Sequence, residues 1–281
     1  MKIAYLGPEK TFTEKVAKEL FPKGDLVPIQ PIRNVIMAVE NGRVERGIVP
    51  LENFYNGPVI QTLDSLTRCS TTRIIQEKAL KVVHYLGALR GHSSILKIYS
   101  KDQALEQCNG FIAANFSSAT TIATVSTAEA ADYIAKNNCL DATAIASKAA
   151  LLKSGLKVIA TDICPNNSTR FVVLGKEGSA PTGDDKTMLA IHPPIRDRPG
   201  VLADCLNIFG SQRINLEGLH SRPDGKKGYY FYIELNGHEK DENVRIALQA
   251  IKYSLDPKHK HPDTIKILGS FANSHWKDEK P

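Results

Sequence analysis

Short apolar runs alternate with amphipathic stretches along the first 176 residues of the chain. The apolar runs have the lengths of strands, and the stretches between them carry apolar residues at helical spacing. Strands are predicted at 3–6, 47–51, 80–86, 96–99, 143–146, 158–160 and 171–174, and helices at 11–20, 35–40, 59–66, 101–108, 128–136 and 148–153. This alternation predicts an α/β fold with parallel strand neighbours, in which ligands bind beyond the carboxyl ends of the strands.

A second pattern follows a polar segment that contains Gly and Pro at 177–185, which is typical of a linker. The order after it is strand 188–192, helix 201–209, strands 214–220 and 229–235, helix 243–254 and strand 265–269. The order βαββαβ predicts a ferredoxin-like domain. We therefore expect a first domain at 1–178, a linker at 179–186, a second domain at 187–271 and a polar tail at 272–281.

Composition and charge exclude several classes of protein. The chain is 42% hydrophobic and 23% charged, as is usual for a globular protein, and its net charge of +6 is spread too evenly for a dedicated nucleic-acid binder. The sequence lacks an apolar run of the ~20 residues that a membrane span needs, and its start does not resemble a signal peptide. The five cysteines are scattered without a CxxC pair, which indicates reduced thiols in the cytoplasm and no metal site.

Three predicted helices begin with the spacing of a capping box, at Thr11, Ser100 and Ser126. Helix N-termini offer N–H groups and partial positive charge, and they bind carboxylates without Arg or Lys. Several such ends on one domain could hold a dicarboxylate. Ordinary helix caps would have the same spacing, so the pattern alone leaves both interpretations open.

Four motifs in this order resemble those of the prephenate dehydratase family, and the resemblance covers nearly the whole chain. They are YLGPEKTFT at 5–13, VPLEN at 49–53, STAEAA at 126–131 and NSTRF at 167–171, the most specific of the four. The chain departs from the family pattern at Lys10, Phe54, Asn56 and Pro58. The resemblance implies a two-lobed, periplasmic-binding-protein-like catalytic domain with lobes at about 1–76 plus 157–178, and at 77–156.

The family's reaction takes prephenate to phenylpyruvate with loss of carbon dioxide and the ring hydroxyl, and it needs no cofactor and no metal. The resemblance assigns Thr169 to the catalytic centre, where its hydroxyl would stabilise the leaving oxygen. We expect Glu52 to be the acid, with Asn53 beside it in the catalytic centre, although a helix-start or salt-bridge carboxylate would also suit Glu52. The expected substrate-binding residues are Thr11, Thr13, Gln103, Ser126, Thr127, Ala128, Arg170 and Phe171. An ion pair within the protein for Arg170 and a core position for Phe171 are the alternatives.

The second domain resembles the ACT domain of the same family. Residues 198–202 (RPGVL) occupy the position of the family's GALV loop, and residues 220–223 (HSRP) occupy that of its ESRP segment, with His220 in place of Glu. The resemblance implies feedback inhibition by L-phenylalanine bound across an ACT interface in a dimer or tetramer. The expected effector residues are Pro199, Gly200, Val201, Leu202, Asn215, Leu216, His220, Ser221, Arg222 and Pro223.

The sequence alone leaves three alternatives open. The same chemistry on the aminated substrate would make the chain an arogenate dehydratase. A prephenate decarboxylase would keep the fold without forming the aromatic ring, although the intact Thr-Arg-Phe argues against it. A non-catalytic, bilobal amino-acid sensor would bind L-phenylalanine without turnover.

Overall fold

A computed structural model describes residues 1–9, 11–165, 167–193, 199–226, 228–258, 260–261 and 264–275. Lys10 and Arg198, which belong to two of the family-like motifs, lie outside the described residues. The chain divides into two compact units. The first comprises Met1–Asn53, Gly57–Leu80 and the described residues from Thr169 onwards, and the second comprises Phe54–Asn56 and the described residues of Lys81–Ser168.

Apart from the short segment Phe54–Asn56, the chain enters the second unit after Leu80 and leaves it after Ser168. The sequence-based division groups the whole of 157–178 with residues 1–76. Instead, the strand Lys157–Ala160 pairs with Tyr85–Ala88 inside the second unit. The apolar pattern of a short strand does not specify its pairing partner, which explains the difference.

The first unit is built on a mixed sheet. Its strands are β1 (Lys2–Leu6), β2 (Asp25–Ile29), β3 (Arg46–Asn53), β4 (Gly57–Pro58), β5 (Arg73–Lys81) and β11 (Ser168–Gly175). The helices that belong with this sheet are α1 (Phe12–Leu20), α2 (Ile32–Glu40) and α3 (Ile60–Thr67). The strand order is β2-β1-β3-β11-β5, with β4 paired to β3. Strands β1 and β3 are parallel, whereas β11 runs antiparallel to β3.

The two faces of this sheet pack against different partners, because successive side chains of a strand point to opposite faces. Ile48 and Val173 share one hydrophobic core with Val16 of α1. Val49 and Val172 belong to another core, which contains residues of α2 and α3 and of the ferredoxin-like domain. One face of the sheet therefore carries α1, and the opposite face carries the C-terminal domain.

The second unit has its own five-stranded sheet in the order β10-β6-β9-β7-β8. Its elements are β6 (Tyr85–Ala88), β7 (Lys97–Ser100), α4 (Asp102–Gln107), α5 (Asn109–Asn115), β8 (Thr120–Ala123), α6 (Thr127–Lys136), β9 (Ala142–Ala146), α7 (Lys148–Lys153) and β10 (Lys157–Ala160). Every residue of β9 is buried, as expected for a central strand covered on both faces. The division into two α/β units, each with its own sheet, confirms the predicted periplasmic-binding-protein-like class.

The C-terminal domain confirms the predicted βαββαβ order. Its elements are β12 (Asp185–Ile191), α8 (Val201–Ser211), β13 (Leu216–Pro223), β14 (Tyr229–Asn236), α9 (Glu242–Leu255) and β15 (Ile265–Ala272). The strands form an antiparallel sheet in the order β13-β14-β12-β15. Leu189 and Ile233 of the sheet pack with Phe209 of α8 and Ile251 of α9.

Two local predictions are wrong. The strand predicted at 80–86 is instead the end of β5 and the start of β6, with residues 82–84 outside regular structure. Ser100 does not cap α4, because it is the last residue of β7 and its buried hydroxyl donates to the carbonyl oxygen of Ile145. The caps predicted at Thr11 and Ser126 are confirmed, since each hydroxyl accepts from the amide three residues later.

Gly269 of β15 lies against the backbone of β5, where the C-terminal domain meets the first sheet. A methyl group on Gly269 would lie 2.2 Å from the carbonyl oxygen of Ile74 and 2.7 Å from its amide nitrogen. We expect Gly269→Ala to lower the free energy of unfolding by about 1–3 kcal/mol, because two backbones would have to separate. Thermal unfolding followed by circular dichroism measures this loss.

Gly210→Ala is the matched control, because a methyl group there would meet nothing within 4 Å. This glycine lies in α8, and Ala at a helical position usually stabilises by about 0.4–1 kcal/mol. A Gly269→Ala protein that unfolds at the wild-type temperature would contradict the close packing of β15 on β5.

Candidate active site

Three chain segments with predicted functional residues meet at one edge of the first sheet. Because β1 and β3 are parallel, their carboxyl ends lie at the same edge, and the antiparallel β11 begins there. Helix α1 also starts from this edge, immediately after the loop that follows β1. Residues at the end of β3, at the start of β11 and at the N-terminus of α1 therefore share the region where α/β folds bind ligands.

Asn53 and Thr169 form a cross-strand pair at this edge. They are directly opposite each other in the ladder of β3 and β11, and the side-chain amide Nδ2 of Asn53 donates to Oγ1 of Thr169 over 3.0 Å. Asn53 is buried, and Thr169 is partly exposed. A hydroxyl that accepts this hydrogen bond keeps its own proton available for another acceptor, such as a substrate oxygen.

Glu52 and Arg170 form the adjacent pair of the ladder, and Nη2 of Arg170 donates to Oε2 of Glu52 over 3.0 Å. Because neighbouring residues of a strand point to opposite faces, this ion pair lies on the other side of the sheet from Asn53 and Thr169. This geometry corrects the expectation that Glu52 is the acid beside the Thr169 hydroxyl. The pairing continues from Phe171 to Pro50, so Leu51 forms a bulge of β3 beside the two pairs.

Arg170 is almost fully buried among carboxylates of the protein. Its side chain is 1% exposed, and it contacts Glu77 of β5 and both carboxylate oxygens of Glu234 in β14, in addition to Glu52. Burial by itself lowers the pKa of Arg170. The hydrogen bond and negative charge of Glu234, together with the charges of Glu77 and Glu52, outweigh burial and raise the pKa above its usual value, so the guanidinium stays charged. Arg170 therefore binds carboxylates of this chain rather than a substrate carboxylate, which corrects the sequence-based expectation.

Helix α1 supplies two of the predicted substrate-binding residues. Thr11 is its N-cap; the hydroxyl accepts from the amide of Glu14 at 3.3 Å and donates to the carbonyl oxygen of Leu6. Thr13 is buried within the first turn. Phe171 is only 3% exposed in the core between the sheet and α1, so it is a packing residue and not a substrate-binding one.

Gln107 lies at the centre of a polar cluster in the second unit that sequence reasoning missed. Its Oε1 accepts from Nδ2 of Asn167 and contacts Nε2 of His84, each at 3.0 Å, and its Nε2 donates to Oδ1 of Asn56 at 2.9 Å. Gln103, which the sequence predicted as a substrate anchor, is exposed and makes a longer contact of 3.4 Å with Asn56. Burial lowers the pKa of His84 against the effect of this hydrogen bond, so the imidazole is neutral near pH 7.

The remaining predicted residues of the second unit begin helix α6. Ser126 caps it, and Glu129 accepts in return from the amide of Val125 at 2.9 Å. Thr127 and Ala128 follow as the first two helical residues. A signal for Gln107 was present in the sequence, because it is one helical turn after Gln103 and shares its face of α4.

The predicted effector residues occupy two places in the C-terminal domain. Pro199 and Gly200 precede α8, which includes Val201 and Leu202, and Gly200 has a φ of +84° that favours glycine. Asn215 immediately precedes β13, and Leu216 and the segment 220–223 belong to that strand. In that segment, Arg222 forms an ion pair of 2.7 Å with Asp64 of α3.

Two further properties concern only the part of the chain that the structure describes. Each helix in that part is too short or too polar to span a bilayer. In the same residues, no group of three or more His, Cys, Asp or Glu side chains could hold a metal ion.

Comparison with known proteins gives the family of each domain. The prephenate dehydratase family model matches residues 3–179, and the ACT domain model matches residues 195–252. A bifunctional chorismate mutase/prephenate dehydratase of Aquifex aeolicus is 35% identical over 98% of this chain and 74% of its own length. A prephenate dehydratase of Lactococcus lactis is 31% identical over 97% of this chain and 98% of its own.

Among solved structures, the prephenate dehydratase of Arthrobacter aurescens in complex with L-Phe superposes with a TM-score of 0.78. Its sequence is 29% identical, and the match covers all of this chain and 92% of that chain. Family model, full-length relatives and fold agree, and the chain belongs to the prephenate dehydratase family.

Proposed function

We propose that this chain catalyses the decarboxylating dehydration of prephenate to phenylpyruvate in L-phenylalanine biosynthesis. The observation that carries the proposal is the hydrogen bond from Asn53 to Thr169, at the sheet edge where α1 begins. It leaves the Thr169 proton free to point at a substrate oxygen. A neutral donor with a fixed direction suits a leaving hydroxyl group, whose oxygen gains negative charge only as its bond breaks.

The reaction balances without an external oxidant or reductant. The bond from the ring to its carboxylate breaks as carbon dioxide leaves, and the electron pair of that bond completes the aromatic ring. The ring C–O bond breaks with both electrons going to oxygen, and the departing hydroxide takes up one proton to become water. Thr169 donates a hydrogen bond to that oxygen, whereas Glu52, on the opposite face of the sheet, remains paired with Arg170.

Binding of the substrate's carboxylates at helix N-termini is part of the proposal. Thr11 caps α1 at the edge that carries Thr169, which supports a role for this helix end. The roles of Gln103, Ser126, Thr127 and Ala128 in the second unit stay predictions. We add Gln107 to them, because its amide is already oriented by three polar neighbours.

An assay of the purified chain with prephenate tests the proposed activity. Ultraviolet absorbance after addition of base detects phenylpyruvate, and a parallel reaction with arogenate tests the aminated substrate. We expect turnover of prephenate. Turnover of arogenate alone would identify an arogenate dehydratase, and L-phenylalanine binding without turnover of either compound would identify a sensor.

We further propose that L-phenylalanine inhibits the enzyme by binding to the ACT domain. The L-Phe complex of the relative from Arthrobacter aurescens supports this, as do the positions of Gly200 before α8 and of His220 on β13. Assembly as a dimer or tetramer would bring these two segments together from different copies. Addition of L-phenylalanine should lower the rate of phenylpyruvate formation; an unchanged rate would contradict the regulatory proposal but not the catalytic one.

The free cysteines support a reducing compartment. All five, Cys69, Cys108, Cys139, Cys164 and Cys205, are without disulfides. A cytoplasmic location is therefore part of the proposal, in keeping with a biosynthetic enzyme whose thiols stay reduced.

A further inference from the structure

The ion cluster around Arg170 is built from two domains. Glu52 and Glu77 come from the first sheet, whereas Glu234 comes from β14 of the ACT domain. Glu234 is the bidentate partner, with one carboxylate oxygen on each terminal nitrogen of the guanidinium. Bidentate pairs of this kind are among the strongest and most directional hydrogen bonds that a side chain forms.

The cluster also includes Lys186 of β12 and Ser274, which follows β15. Oε1 of Glu77 accepts from the amide and the hydroxyl of Ser274, at 2.8 and 2.7 Å, and lies 3.9 Å from Nζ of Lys186. The side chains of Glu77 and Lys186 are 0% and 3% exposed. Charges buried this completely are screened little by water, so the position of each depends strongly on the others.

This cluster lies on the face of the sheet opposite the proposed catalytic pair. The Arg170–Glu52 and Asn53–Thr169 pairs occupy adjacent rungs of one ladder, on opposite faces of the sheet. The bulge at Leu51 interrupts the regular ladder between Arg170 and Phe171, so the backbone pairing of β3 and β11 is irregular on one side of the two pairs. The buried side chain of Arg170 therefore anchors β11 beside the Thr169 hydroxyl, in addition to the backbone pairing with β3.

We propose that Arg170 is a positioning residue for Thr169, and that the ACT-domain carboxylate Glu234 holds Arg170 in the geometry that catalysis needs. The inference rests on the proposed function of Thr169. Glu234 forms an ion pair with Arg170, and Arg170 is the residue that follows Thr169 in the chain. A cavity of about 250 Å³ adjoins the cluster, and its lining includes Glu52, Arg170 and Glu234 together with His220 of the proposed effector segment. Residues of β13 and the side chain of Arg170 line the same cavity. A change in the position of β13 would therefore be transmitted to Arg170.

The test is a double-mutant cycle with a matched control. Glu234→Gln keeps the shape of the side chain and leaves Arg170 and Lys186 balanced by Glu52 and Glu77, so we expect the protein to fold. The control is Glu239→Gln, which removes another ion pair between the ACT domain and the first sheet, that of Glu239 with Arg73 at 2.8 Å. The readouts are kcat and KM for prephenate, well below the unfolding temperature of each variant.

Glu234→Gln should lower kcat about ten-fold with little change in KM, because a small displacement of a catalytic group reduces turnover more than binding. Glu239→Gln should stay within about two-fold of wild type. In a Thr169→Ala background, Glu234→Gln should lower kcat further by less than about two-fold, because its effect passes through the missing hydroxyl. A purely structural role would instead lower kcat equally in both backgrounds.

Three results would overturn the inference: wild-type kcat in Glu234→Gln, an equal loss in Glu239→Gln, or a full additional loss in the Thr169→Ala background. If Glu234→Gln does not fold, Glu234→Asp takes its place, since it retains the charge but draws the carboxylate back by one methylene, and the same criteria apply. Wild-type protein without prephenate turnover would contradict the proposed function itself, a failure distinct from that of the positioning role.

Discussion

Replacement of Thr169 by Ala should lower kcat for prephenate by at least about 100-fold, because one hydrogen-bond donor to a developing negative charge contributes about 2.7–4 kcal/mol to transition-state stabilisation. The donor is the hydroxyl proton that the bond from Asn53 leaves available. KM should change less than kcat, since the hydrogen bond strengthens mainly as the C–O bond breaks.

Thr169→Ser is the matched variant, because it keeps the hydroxyl and removes only a methyl group. We expect it to retain much of the wild-type activity. Steady-state rates of phenylpyruvate formation give kcat and KM of both variants, and circular dichroism establishes that each is folded. A Thr169→Ala enzyme with near-wild-type turnover would remove Thr169 from the mechanism.

Asn53→Asp should lower kcat by a similar factor, about 100-fold, although it only replaces the side-chain NH2 group by an oxygen. The amide of Asn53 donates to Thr169, whereas an ionised carboxylate can only accept. The Thr169 hydroxyl would then donate its proton to the introduced carboxylate instead of the leaving oxygen. The new negative charge would also repel a dicarboxylate substrate, so KM should rise as well.

The pH dependence of Asn53→Asp provides a second measurement. A protonated Asp carries an O–H donor, so the defect should shrink as the pH falls toward the usual Asp pKa of about 3.9. Asn34→Asp is the control, because it removes an exposed amide donor from the same unit and adds the same charge. Equal losses in both variants would mean that charge, rather than the direction of the hydrogen bond, causes the defect.

Local sequence was sufficient where the cause of a structure is itself local. The helix caps at Thr11 and Ser126 follow from spacing within four residues, and the βαββαβ order follows from periodicity. Ser100 has the same spacing as the other caps, but its hydroxyl bonds to Ile145, a residue 45 positions away. A short stretch of sequence around Ser100 does not include that partner, so local spacing could not predict the hydrogen bond.

Arg170 and Glu77 show the same limit in the site. Arg170 is covalently next to Thr169, which favoured a shared role in substrate binding, yet pairing with β3 turns its side chain to the opposite face. Glu77 is a charged residue inside β5, and it obscured the apolar alternation of that strand. It is buried because Arg170, 93 residues away, supplies the opposite charge. Strand register and ion pairs between distant residues depend on the tertiary structure, whereas the motif that contains Thr169 is visible in the sequence.

The hydroxyl of Thr169 is the centre of this account, and Thr169→Val tests it most directly. Val has nearly the shape of Thr without its hydroxyl, so the comparison isolates one O–H group. The measurement is the rate of phenylpyruvate formation from prephenate by wild type and Thr169→Val, side by side at equal folded concentrations. We predict steady turnover by the wild type and a rate at least about 100-fold lower in the variant. Equal rates in the two proteins would contradict the account.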